Sequence, residues 1–563
     1  MKKFYSFVLL LASCLVVNAQ FTATTYRGAF APAPIAQWTD GWANFDPQNA
    51  VYPLPTVSNV VVITANITAN TTWTNTNVYY VKEQIYVKNN AVLTVQAGTT
   101  VLFEKVPPPS GGVVAAPRGL VVTRGSQLIA NGTATQPIVF TSDQTPGNRN
   151  RGDWGGIILL GNGSVNINNG VNAIEGIASG PDTQYGGGTT PNDNDSSGSL
   201  RYVRIEFGGY VFAQNQEING LTMGGVGRGT TISFVQCSFI NDDSFEWFGG
   251  AVNCSNLISY RGTDDDFDTA EGYSGKVQFC LSVRDPRISD ISSSNGFESD
   301  NNGAGSAGTP FTTTVFSNVT IVGPHFRATL PNNGSPSLAQ FGRAAHLRRN
   351  TKQSIFNSIF MDYNNGLHIE NFSTETNASN NEIRFQNNIL AATVAGRDAY
   401  ESADSSTNPN NPNFNTATWY ALAANANTTV ASSSALLTKA YEATDALTYT
   451  GLDYRPTATS IAATGASFAD PFLLSNESFV NKNFKSSVYP NPFASNFKIG
   501  FDTISEENVT VSTFDITGRQ IEMQKVNANA VQSLELGSNY KTGVYLVVLK
   551  QAESTQSFKV VKK

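Results

Sequence analysis

The chain has 563 residues, 14% of them charged, and a formal net charge of −7. That length holds more than one domain, and the negative balance argues against bulk attraction to nucleic acid or anionic membranes. Charge is well below the roughly 25% of an average soluble protein. Gly, Asn, Thr and Ser fill the gap, as suits a β-rich extracellular protein with Gly- and Asn-built turns.

The first twenty residues, "MKKFYSFVLLLASCLVVNAQ", place two lysines before an apolar run and Val17-Asn18-Ala19 before Gln20. This pattern predicts a signal peptide over residues 1–19, cleaved between Ala19 and Gln20. The run is too short to span a bilayer. Leu11-Ala12-Ser13-Cys14 also fits a lipobox, but the apolar Leu15-Val16-Val17 that follows is more typical of an unfinished signal core. No other stretch is long and apolar enough for a transmembrane span. Residues 20–60 carry "YRGAF", "WTDGWANFDP" and several prolines, which predicts an aromatic N-terminal cap.

From 61 to 395, short apolar strands such as "AVLTVQAGTTVLFEK", "TTISFVQCSFI" and "KVQFCLSV" recur roughly every 20 to 30 residues between Gly, Asn and Asp turns. Such a period predicts a solenoid in which each coil buries its face on the next. A flat sandwich or a propeller is the alternative, and a propeller would need more uniform four-strand blades. "GSQLIANGTATQPIVFTS" resembles one coil of secreted right-handed parallel β-helix proteins. The stretch from "YRGAF" to "ASFADPF" resembles the β-helix passengers of Bacteroidota, a resemblance that implies a fold and no activity. Cys237, Cys254 and Cys280 sit among apolar strand residues and read as buried small hydrophobes.

Four segments of the solenoid align without gaps: 242–246, 264–268, 294–298 and 364–368. Each has a large apolar residue in the fourth place and an acid or histidine in the fifth. Stacked about 4.8 Å apart, Phe245, Phe267 and Phe297 would form an inward column. Glu246, Asp268 and Glu298 would form an outward one, with His368 in the same register. Residues 241–303 hold twelve acids and four bases, a net of −8 that exceeds the whole chain's. Like charges at that spacing repel. Oxygen-only ligand sets suit Ca²⁺, so a Ca²⁺ site is expected among Asp242, Asp243, Glu246, Asp264, Asp265, Asp266, Asp268, Glu271 and Glu298. A solvated acidic turn is the alternative. "NDNDSSGSL", with Asp193, Asp195, Ser197 and Gly198, begins like an EF-hand loop, but Arg204 stands where the closing Glu belongs.

Catalysis has weaker support. A Ca²⁺-dependent polysaccharide lyase would need a Lys or Arg base, for which Arg261, Lys276, Arg284 and Arg287 are candidates. "GTDDDFD" resembles the paired-Asp motif of polygalacturonases, yet their Gly-His-Gly and Arg-Ile-Lys signatures are missing. His325 and His346 are isolated in the sequence, and no nucleophile elbow accompanies them. Trp38, Trp42, Trp154, Trp247, Tyr210, Tyr260 and Tyr273 are candidates for stacking on sugars. Asp268-Thr269-Ala270 and Asp502-Thr503-Ile504 fit the Bacteroidota O-glycosylation pattern. The expected role is therefore a non-catalytic surface protein, adhesive, glycan-binding or structural, with no catalytic residue assigned. The alternative is a Ca²⁺-dependent polysaccharide lyase or glycoside hydrolase.

Residues 396–475 break the β pattern. "TATWYALAANAN" and "SSSALLTKAYEATDAL" read as short helices over the last coil, and "LDYRPTATSIAATGASFADPF" as an extended strap. Residues 476–486 read as a linker. From 487, alternating strands separated by turn residues predict a small Ig-like β-sandwich. Tyr489-Pro490-Asn491-Pro492, Phe514-Asp515-Ile516-Thr517-Gly518-Arg519, Gly543-Val544-Tyr545 and the tail Lys559–Lys563 occur in order. With these motifs, residues 487–563 resemble the type A C-terminal sorting domain of the Bacteroidota type IX secretion system. The resemblance implies secretion or surface display, the secretion machinery and its sortase-like peptidase as partners, and clipping of the domain. Pro490, Asn491, Pro492, Gly518, Arg519, Gly543 and Tyr545 carry it.

Overall fold

The computed structural model describes residues 21–107, 115–213, 216–325, 340–363, 365–391, 400–401, 414–441, 451–474, 484–503, 508–515, 519–527, 533–551 and 554–563. The expected cleavage point at Ala19–Gln20 lies outside them. The described chain divides into two compact units, residues 21–473 and 474–563. Among the described residues, no helix is long and apolar enough to cross a membrane.

The larger unit is a parallel β-helix. A ten-stranded sheet runs in chain order from Gln84–Val87 to Tyr400–Glu401, and a seventeen-stranded sheet supplies the other strands of each coil. Successive coils stay in register: Phe245 lies opposite Phe267, and Phe267 opposite Phe297. Alternation along a strand turns the fourth-place residue inward and the fifth outward. The three phenyl rings are fully buried, with centroids 5.8 and 5.3 Å apart. Each such aromatic contact adds about 0.5–1.5 kcal/mol beyond burial alone. Cys237, Cys254 and Cys280 are buried and unbridged, as their apolar neighbours predict.

The seventeen-stranded sheet turns a corner at one residue per coil. Tyr202, Phe234, Asn256, Phe279, Asn318 and Asn357 all have φ between 49° and 61°. Left-handed backbone is uncommon in non-glycine residues, though Asn tolerates it best. The corner side chains form a docking strip. Tyr202 stacks on Phe234 at 4.5 Å, and Trp42 packs edge-on against both. Asn318 donates to Thr24 Oγ1 and to the carbonyls of Tyr26 and Gly28.

That strip corrects the expected N-terminal cap. Residues 21–57 run lengthwise along the solenoid and do not close its first coil. Ala29 N donates to Thr320 Oγ1 at 2.9 Å, and the Gln278 amide clasps the backbone of Thr22 at both N and O. The Gln236 amide holds Asn44 in the same way, and Tyr52 donates to Glu206. The segment then enters the first coil at the strand Val60–Ile63. The 452–470 strap lies beside it: Arg27 N donates to Ala462 O, and Ser467 exchanges hydrogen bonds with Asn357.

Over the last coil, Thr416–Tyr420 forms the expected helix, capped by Asn415 and burying Trp419 and Tyr420. The second expected helix is absent from the described part of "SSSALLTKAYEATDAL". Leu437–Lys439 is instead a strand pairing antiparallel with Asp453–Pro456. Its adjacent Leu436 and Leu437 both bury in the cluster that contains Tyr454, which a one-sided helical face would not achieve.

The smaller unit has a three-stranded and a four-stranded antiparallel sheet around Phe497, Val511, Val547 and Leu549. It begins at Phe484–Tyr489, so residues 484–486, expected as linker, already belong to a strand. Asn491 ties the sorting motif to the last strand, donating to Lys559 O at 2.6 Å and accepting from Val561 N at 3.0 Å. Pro490 and Pro492 flank this clasp. Arg519 pairs with Asp515 at 3.0 Å, and the Tyr545 hydroxyl donates to Lys541 O, two residues before Gly543. Gly518 lies outside the described residues.

Candidate metal centre

Six strands of the ten-stranded sheet build the site: β1 (Leu221–Gly224), β2 (Phe245–Phe248), β3 (Phe267–Ala270), β4 (Phe297–Ser299), β5 (Arg343–Leu347) and β6 (Asn365–Ile369). The register places Thr222, Glu246, Asp268, Glu298, His346 and His368 in one outward column. Three residues earlier in each coil, a second column begins the strands. There Asp243 Oδ1 accepts from Asp265 N at 2.8 Å, Asp265 Oδ1 from Asn295 N, and Asn295 Oδ1 from Arg343 N at 2.9 Å. Each Asx side chain thus caps the next turn, which explains why Asp and Asn recur there.

The carboxylates outnumber what these bonds satisfy. Asp242, Asp243 and Asp264 converge, as do Asp243, Glu246 and Asp268, and Asp265, Asp268 and Glu298. In each group the candidate oxygens lie within 4.8 Å of one another. Two oxygens on one Ca²⁺ at about 2.4 Å can be at most about 4.8 Å apart, so the groups fit that ion. Burial, then repulsion between neighbours, raises the proton affinity of Asp242, Asp243, Glu246, Asp264 and Asp268 well above the ordinary range. The same causes bring Asp265 and Glu298 to about 8. Arg348 answers part of this charge, donating to Glu298 and to Asp300, the latter at 2.9 Å.

Two residues expected in the metal set do not join these groups. Asp266 points inward and is fully buried, ion-paired with Arg284 at 3.0 Å and bonded to Ser259, Ser282 and Tyr363. Glu271 follows the strand on a left-handed residue and accepts from Tyr185 at 2.7 Å and from Asn172. Burial raises it to about 7.

The candidate bases are also placed by the fold. Arg284 is locked to Asp266. Arg261 is buried against Asp285, Lys276 is buried, and Arg287 lies 3.8 Å from Asp285. Six of the seven aromatics considered for sugar stacking are buried: Trp42, Trp154, Trp247, Tyr210, Tyr260 and Tyr273. Trp38 is partly covered and stacks on Phe30 at 5.1 Å. Thr269 is fully buried and bonded to Ser299 and Gln353, so the folded chain offers no glycan acceptor there. Asp193 and Asp195 hold the turn at Asn162–Ser164 through its amides and form no EF-hand-like loop.

Three participants, Glu175, Glu217 and Glu370, escaped sequence reasoning, and a fourth, His346, reads there as isolated. Glu175 comes from an irregular segment, and Glu217 from the short strand Gln216–Glu217 that precedes β1. Glu175 is raised to about 7 by burial and by Glu217 and Glu271. His346 and Glu370 extend the outward column at its far end. His-x-Glu at 368–370 was the one available signal, since alternation puts both side chains on one face.

A parallel β-helix with a carboxylate-lined outer strip, followed in the chain by a separate antiparallel β unit, defines a β-solenoid protein with a small second domain. Residues 65–438, well over half the chain, match the pectate-lyase like beta helix domain, and the chain belongs to that family. Residues 487–563 match the secretion system C-terminal sorting domain. The protein is therefore a type IX secretion cargo, destined for the cell surface or the extracellular space, with the secretion machinery as partner. No curated protein and no solved structure matches the chain.

Proposed function

We propose that the protein is a non-catalytic surface passenger whose outward strip binds Ca²⁺, which pins adjoining coils and serves an adhesive or structural role. One observation carries this reading: three carboxylate groups on adjacent coils, overlapping at Asp243 and Asp268, each hold oxygens at calcium-compatible separations. A cation there offsets the burial, and the repulsion added to it, that otherwise hold protons on these groups. Glycan binding in this reading runs through the bound ion and the polar strip, because six of the seven aromatics considered for sugar stacking are buried. Calorimetric titration of the full chain with Ca²⁺ tests the reading. Saturable binding, weakened by Asp268→Asn, supports it, and absence of binding at millimolar Ca²⁺ refutes it.

The family match gives a Ca²⁺-dependent lyase a specific motive, but the Arg and Lys residues near the strip are buried or paired. A panel of uronate-containing glycans is expected to yield no unsaturated products. Their release, dependent on Asp268 or Arg348, would move the protein to the lyase class.

The sorting domain is expected to be removed by the sortase-like peptidase after outer-membrane transit. A chain truncated after Asn483 should accumulate inside the cell. Normal extracellular delivery of that chain, followed by fractionation and immunoblot, would contradict the assignment.

A further inference from the structure

Beyond the carboxylates, the outward column changes chemistry. Glu298 is followed by His346 and then His368, whose rings stack in parallel at 5.0 Å with 6° between planes. Glu370, two residues after His368 on β6's exit, reaches back so that its Oε2 lies 2.6 Å from His346 Nε2. One ligand atom from each of the three residues lies within 4.8 Å of the others. Both imidazoles are about 3% exposed.

We propose that His346, His368 and Glu370 bind a divalent transition metal of the Zn²⁺ class, at a site separate from the oxygen-lined strip. Two imidazole nitrogens and one carboxylate form a donor set that suits Zn²⁺ and not Ca²⁺. Tetrahedral Zn²⁺ bonds of about 2.0–2.1 Å set ligand atoms about 3.3 Å apart, so Glu370 Oε2 and His346 Nε2, hydrogen-bonded at 2.6 Å, would give up the shared proton and separate slightly around the ion. Glu298 Oε2 lies 3.9 Å from His346 Nδ1, too far for a hydrogen bond, so it adds negative charge near the ring without orienting it directly. Arg343 and Arg348 are the nearby cations. Arg348 is already held by Glu298 and Asp300, so its charge is largely answered. Three protein ligands leave a fourth position for water or an anionic group. The inference does not rest on the Ca²⁺ reading, since no ligand is shared.

The test is calorimetric titration of the tag-free full chain with Zn²⁺ in saturating Ca²⁺, with Co²⁺ absorption as an independent probe of coordination. One Zn²⁺ per chain is expected, with a tetrahedral Co²⁺ band. Glu370→Gln should weaken binding by at least about tenfold, and His368→Gln should remove it. Far-UV circular dichroism confirms folding. If His368→Gln fails to fold, the partly exposed Glu370 decides the matter. Asp268→Asn, two rungs away, should change Zn²⁺ affinity by less than about twofold while weakening Ca²⁺, so failure of either site is read separately. No Zn²⁺ heat and no Co²⁺ band, or binding unchanged in both variants, would overturn the proposal.

Discussion

Arg284→Met is expected to destabilise the β-helix by about 3–5 kcal/mol, the usual cost of stranding one half of a buried ion pair. Both side chains of the Arg284–Asp266 pair are fully buried. The second Arg284 nitrogen donates to Thr263 O at 3.0 Å, and Asp266 accepts from Ser259 and Ser282. Removing the guanidinium leaves a carboxylate among hydroxyls with no counter-charge. Asp266→Asn in the same background removes the stranded charge and should recover part of the loss. Denaturant unfolding of the single and double variants measures both. A loss below about 1 kcal/mol for Arg284→Met, or strictly additive effects, would sink the account. The pair also bears on chemistry, because a guanidinium held in this way cannot serve as a proton-abstracting base.

The second large effect is a reversal of the pH dependence of stability on adding Ca²⁺. Without the ion, folded Asp265 and Glu298 titrate near 8, against 3.8 and 4.5 when unperturbed. Between those limits the folded chain holds more protons than the unfolded one. Their contribution is thus fully present below about pH 4 and is lost as pH rises through about 8. Ca²⁺ displaces those protons, and at a hundred times its Kd each ion adds about 2.7 kcal/mol. Stability should then rise with pH across the same window. Thermal midpoints from pH 5 to 8, with Ca²⁺ and with chelator, report the crossing. Superimposable curves would remove the metal from the strip. Asp268→Asn, common to two of the three oxygen groups, should close most of the gap between the curves.

The Phe245–Phe267–Phe297 column was legible because the pleat fixes which side each place faces, whatever the length of the intervening loops. The same logic separates Asp266 from its neighbours. Its place in adjoining coils is taken by Ser244 and Gly296, small residues that mark an interior position, yet a run of acids invites assignment to a single site. His346 was hidden by distance. Glu246 to Asp268 is 22 residues and Asp268 to Glu298 is 30, but the next rung lies 48 further on. No regular spacing finds it. The aromatics failed for another reason: composition does not tell outward from inward. Trp154 illustrates this, with its ring stacked on Phe103 at 3.8 Å and its N–H satisfied by Glu206 O.

The lengthwise N-terminal segment changes what kind of object the solenoid is. A stack of coils in contact only with its neighbours frays from its ends, and its stability is a sum of local terms. Here Ala29 is bound to Thr320, 291 residues away, and the same segment grips Gln278 and Gln236 on its way to the first coil. The earliest part of the folded chain finds its seat only after the late coils exist. Closing such long loops slows folding, so the passenger reaches its final form late, and its ends are then clamped together. Heating should produce one cooperative transition spanning early and late coils, with neither end peeling away first.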